Sequence, residues 1–110
     1  MAYKLRTGAT REIEIEFSGE TTTFKVRPQT TGETSNLVTA VQKAGKQWNI
    51  EKSLPHILPL IVEWNIEDEY GKPAEINLRN LSDLPTGIID ALTAELRDAG
   101  FLGVRPKTAE

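Results

Sequence analysis

Near the start of this chain of 110 residues, Glu12, Glu14 and Glu16 alternate with Ile13, Ile15 and Phe17. Carboxylates at that spacing on one strand face stand about 7 Å apart and can share a proton or hold a cation. Such work needs a pocket that shifts one pKa, and an outward strand face supplies none. The three glutamates are therefore read as a solvated face. A second acidic group, Glu63, Glu67, Asp68 and Glu69, carries the oxygen ligands that Ca²⁺ or Mg²⁺ prefers. It lacks the register of a calcium loop, and its consecutive side chains point in different directions, so it reads as an acidic turn without metal. The single histidine, His56, lies between Pro55 and Ile57 at the edge of an apolar run, where a structural role is the simpler reading.

The absence of cysteine excludes disulfides, thiolate nucleophiles, Cys-ligated zinc and iron–sulfur clusters. No phosphate-cradling glycine loop and no nucleophile elbow is present. The expectation is a chain with no catalytic residues, no metal and no cofactor. Lys4, Arg6, Arg11, Lys25 and Arg27 with Phe24 form the best basic patch, but glutamates interleave it and the net charge is −3, so no nucleic-acid partner is expected. Residues 1–55 hold eight cations and six anions, and residues 56–110 hold five and ten. The longest apolar run, residues 57–62, is far short of the ~20 residues of a membrane helix, and residues 1–10 lack a signal-peptide core. No membrane is expected, and a cytoplasmic location follows.

These side chains need elements to position them. Residues 11–17 alternate with period two and read as a strand; Ser18-Gly19-Glu20 supplies a turn, and residues 21–27 form a second strand that Pro28 ends. Lys25 and Arg27 can offset the glutamates on the outer face. Residues 29–33 read as a polar connection. Thr34, Ser35 and Asn36 offer caps for a short helix carrying Leu37, Val38, Val41 and Ala44, which Gly45 ends.

The middle of the chain admits two readings. In one, Ser53 caps a helix with Leu54, Ile57, Leu58 and Ile61 on one stripe, running to about Glu63 and followed by a short extended stretch. In the other, residues 60–66 are extended, with Val62, Trp64 and Ile66 on one face. The first is preferred, although Pro59 opposes an unbroken helix. Gly71 is the positive-φ residue of the acidic turn. A last helix starts at Ser82 or Asp83 with Pro85 in its first turn, buries Ile88, Ile89, Leu92 and Leu96, tolerates Gly87 at a cost of ~1 kcal/mol, and stops at Gly100, with Phe101 and Leu102 folding back.

The expected fold class is α+β: an N-terminal β-hairpin packed on about three α-helices, with residues 1–102 a single small domain and residues 103–110 a flexible C-terminal tail. Trp48 and Trp64 can each serve as core or as an exposed anchor for a partner.

Residues 60–73 (LIVEWNIEDEYGKP) run from an apolar stretch into a Trp-Asn step, an acidic pair, a Gly and a Pro; a polar link and a helix rich in Leu and Ile then follow. This pattern resembles the tail assembly chaperones of long-tailed bacteriophages, and the front hairpin with its polar crossing, residues 27–33, is similar to that group. The matching positions are Trp64, Asn65, Asp68, Gly71 and Pro73, which look structural rather than contact-making.

The resemblance implies a non-enzymatic viral protein of the host cell cytoplasm. It would bind the tape-measure protein and keep it soluble during tail assembly; the tail-tube protein and self-association are further candidate contacts. An apolar groove with an acidic rim would suit that task, and Trp48, Trp64, Leu92, Leu96 and Phe101 are the expected partner-binding residues. The alternative is a small structural head–tail or tail component retained in the virion.

Overall fold

In the computed structural model, which describes Ala2, Lys4, Leu5 and residues 9–102, the alternating front segment becomes two strands, β1 (Arg11–Phe17) and β2 (Glu20–Val26). They pair antiparallel with Ile13 opposite Phe24 and Phe17 opposite Glu20. Ser18 and Gly19 both take positive φ, 54° and 83°, so the two-residue turn follows the twist of its strands. Ile13, Ile15, Phe24 and Val26 are buried, while Glu12, Glu14 and Glu16 remain on the exposed face.

The middle of the chain departs from the preferred reading. The helix expected to reach Glu63 stops much earlier: α2 (Ile50–Ile57) gives way to a 3₁₀ turn, Leu58–Leu60, and then to β3 (Ile61–Trp64). Pro59 cannot continue a helix, and β2 offers a second edge that a β-branched segment can pair. β3 joins β2 antiparallel, giving the order β1-β2-β3. A bulge between Lys25 and Val26 shifts the register, so Ile61 is buried but Val62, expected beside Trp64, stays 40% exposed. Lys25 lies between Glu12 on one neighbouring strand and Glu63 on the other, which relieves the carboxylates' mutual repulsion.

α1 (Thr31–Ala44) starts earlier than expected. Its cap is Thr30, not residues 34–36: the Thr30 hydroxyl accepts from the Glu33 backbone N–H at 3.1 Å, and the Glu33 carboxylate accepts from the Thr30 N–H at 2.9 Å. This reciprocal pair is a capping box. Glu33 also receives both guanidinium nitrogens of Arg27, at 3.0 and 2.7 Å, which ties the end of β2 to the start of α1. The Arg27 hydrogen bond is the main reason that the Glu33 pKa falls to about 2. α1 ends at Gly45, φ 53°, as expected.

α2 is capped by Asn49, whose side chain accepts from the Lys52 N–H at 2.9 Å. Ser53, the expected cap, instead donates to the Ile50 carbonyl at 2.6 Å. Ser82 and Asp83 likewise do not start the last helix. They close a separate short helix, α3 (Leu78–Ser82), which Asn77 caps and whose Leu81 is fully buried. α4 (Thr86–Asp98) follows Pro85 without a side-chain cap.

α4 buries Ile88, Ile89, Leu92 and Leu96 as expected and packs on β1. Beyond it Gly100 takes φ 76°; the N–H groups of Phe101 and Leu102 both reach back to the Leu96 carbonyl, and Leu102 is buried. The fold is thus α+β: among the described residues, a three-stranded antiparallel sheet with four α-helices. The core runs from the inner face of the sheet through Leu37, Leu54, Ile57 and Leu60 to the α4 stripe. Among the described residues no helix is long and apolar enough to cross a membrane. The expected tail, residues 103–110, lies outside the described residues.

Candidate functional site

Two concavities contrast in chemistry. The first is a cleft of about 290 Å³ framed by α1, α2 and α4. Leu37 and Val41 come from one turn of α1, His56 and Ile57 from the end of α2, and Thr93 and Arg97 from successive turns of α4. Trp48 lines it from the stretch between α1 and α2, and Leu102 from the segment that folds back past α4. Leu37, Ile57 and Leu102 belong to the buried core, so the floor of the cleft is continuous with it.

Trp48 is half-buried against that core, with its ring 6.2 Å from His56 at a 42° tilt. The Trp48 indole N–H has no hydrogen-bond partner among the described residues, whereas Thr93 turns its hydroxyl back to the Ile89 carbonyl at 2.8 Å. Arg97 is the single charged side chain of the lining. The groove was expected to have an acidic rim; the charge at this cleft is a cation.

The second concavity, about 570 Å³, lies between the hairpin tip, residues 65–68 and the start of α4, and carries Glu20, Glu67 and Asp68. Asp68 is already engaged there: its carboxylate accepts from the backbone N–H groups of Tyr70 and Lys72, at 2.8 and 3.0 Å. Among the described residues no group of three or more acidic or histidine side chains is placed to hold a metal ion. His56 shares its cleft with neither Glu63 nor Asp68. It meets Glu33 across a smaller hollow, where Arg27 already holds that carboxylate ionised.

The five expected partner-binding residues separate. Trp48 lines the cleft. Leu92 and Leu96 are wholly buried and cannot meet a partner, because their stripe is what closes the core over β1. Trp64 is engaged within the chain: its indole N–H donates to the Ala74 carbonyl at 2.8 Å, and its ring meets Phe24 edge-on at 6.2 Å. Phe101 packs partly buried against the core, and its carbonyl accepts from the Gln29 N–H at 2.8 Å.

The motif positions build one loop. Asn65 presents its side-chain oxygen to the Thr23 N–H at 2.8 Å and donates its own N–H to the Thr23 carbonyl at 3.2 Å. Asp68 anchors the turn in which Gly71 takes φ 79°, and Pro73 bridges Glu67 on the return. The sequence did not single out Leu37, Val41, Ser53, Thr93, Arg97 or Leu102 as site residues. The spacing of Leu37 with Val41 and of Thr93 with Arg97, four apart on a helix, was the available signal. No protein-family model, curated protein or solved structure matches this chain.

Proposed function

We propose that this chain is a non-enzymatic assembly chaperone of long-tailed bacteriophages, acting in the host cytoplasm, whose cleft receives apolar side chains of the helical tape-measure protein. The observation that carries the reading is the cleft: an apolar hollow of about 290 Å³ with Trp48 beside it. An aromatic ring beside a pocket that can take a large side chain is the composition of a protein-binding hot spot. A long helix that awaits its tube subunits exposes apolar stripes, and laying such a stripe in a groove removes it from water. Val38, three residues before Val41 on α1 and 37% exposed, extends the apolar surface of that helix. The Trp-Asn to Gly-x-Pro pattern of residues 64–73 supports the assignment to tail assembly.

The test is co-expression with the tape-measure protein of the same phage. The expected result is a soluble tape measure that co-purifies with this chain and is lost on Trp48→Ala. A tape measure that stays insoluble beside a folded partner would overturn the reading. Recovery of this chain from purified virions would favour the alternative, a retained tail component.

A further inference from the structure

We infer that the apolar anchor entering the cleft is followed, one turn further along the partner helix, by a carboxylate that pairs with Arg97. The inference rests on the reading above for the class of partner, a helix with an apolar stripe, and adds the chemistry that selects it. Arg97 sits in the last turn of α4, is exposed, and lines a mainly apolar hollow in which Ser53, His56 and Thr93 are the other polar residues.

Its own helix leaves it unmatched. The positions of its helix that face it, four and three residues before, are Thr93 and Ala94, neither of them acidic, and α4 ends one residue after it. Glu95 and Asp98 lie two residues before and one after, at spacings that do not face each other on a helix. No carboxylate among the described residues forms an ion pair with it, in contrast to Arg27, which holds Glu33 at 2.7 Å.

A guanidinium offers five donors in a planar fork that suits a carboxylate. Beside an apolar wall such a pair is less screened than on an open surface. On a helix, an anchor side chain and an acid four positions later stand about 5–6 Å apart, which lets one enter the hollow while the other meets its edge. The cleft therefore selects an apolar residue with Glu or Asp one turn on, and disfavours the same stripe followed by Lys.

The experiment uses three labelled alanine-rich helical peptides of about 20 residues, each with a central Leu and with Glu, Gln or Lys four positions later. Each is titrated with the full chain by fluorescence anisotropy. The Glu peptide is expected to bind about fivefold more tightly than the Gln peptide, and the Lys peptide more weakly than both. Arg97→Glu should invert the order, and Arg97→Gln should bring the three affinities together.

Equal affinities for the unaltered chain, or an order that survives Arg97→Glu, would overturn the inference. Absence of peptide binding while the tape measure still co-purifies would overturn it too, leaving the chaperone reading to another surface. The expected order together with a failed tape-measure rescue would retain the rule and overturn only that client. A dimer whose dissociation depends on Arg97 would assign the cleft to a second copy, and that also overturns it.

Discussion

The two tryptophans divide the molecule. Trp64 is tied into the chain: its N–H reaches Ala74, its ring meets Phe24, and Asn65 beside it binds Thr23. Trp48 stands beside a hollow whose lining includes Arg97, a cation that pairs with no acid among the described residues. Residues of the same type with similar half-burial thus differ in how far the chain itself engages them. Burial alone does not tell the two rings apart; the indole N–H does, and under the proposed function Trp48 is the one left for a partner.

The sharpest way to break this comparison is to truncate each ring. Trp64→Ala should cost about 3 kcal/mol, because it removes an aromatic contact with the core and the hydrogen bond that closes the 65–74 loop. Urea unfolding would measure it. Trp48→Ala should cost much less in the same assay and remove client binding instead. A Trp48→Ala loss as large as that of Trp64→Ala would collapse the distinction.

Next in size is the junction of sheet and helix that lies between the two regions. Thr30→Ala should destabilise by ~1 kcal/mol through the lost cap. Glu33 gives that junction a pH dependence. Its pKa falls from 4.5 to about 2, so its contribution is complete above pH 4.5 and is lost as pH falls toward 2. Glu33→Gln should therefore flatten stability against pH in that window, followed by circular dichroism at fixed urea.

A smaller effect concerns Gly87. A Cβ placed there would lie 2.7 Å from Cε1 of Phe17, whose ring is 40% exposed and able to swing outward. Helix propensity favours alanine by up to ~1 kcal/mol in a helix interior and by less at this second position of α4, about half as much. Gly87→Ala should stabilise by about that amount in a Phe17→Ala background and by less in the unaltered chain. A double-mutant cycle by thermal melting would read the difference. Smallest of all, Arg97→Gln should change stability by no more than ~0.5 kcal/mol, since the residue is exposed and unpaired among the described residues.

What was legible in the sequence follows from how local each cause is. The hairpin and the α4 stripe are written in periods of two and of about 3.6, which a short window reveals. The start of α1 was equally local, since Thr30 and Glu33 spell a capping box, but the polar run of residues 29–33 reads as a loop until that pair is noticed. β3 was ambiguous because four residues after a proline have too little pattern of their own; β2's free edge decides them. α3, five residues long, is fixed by Asn77 and by the burial of Leu81. The cleft was not legible, since its walls come from three helices and from Leu102, and tertiary packing alone brings them together. The burial of Leu92 and Leu96, which the α4 stripe itself announced, is what removes them from the expected partner contacts.

The sheet's two ends bear on how the chain behaves when crowded. A three-stranded sheet has two rows of backbone groups on which another molecule's strand can template, the usual route to ordered aggregates. At one end, β3 is only four residues long, and the side chain of Asn65 extends its hydrogen bonding to β2 in place of further strand. At the other, β1 pairs only with β2 among the described residues, and Glu12, Glu14 and Glu16 line its exposed face. A strand approaching that side would have to bring its own side chains against this row of charge. These carboxylates thus act as gatekeepers, keeping a seven-residue strand from recruiting copies of itself.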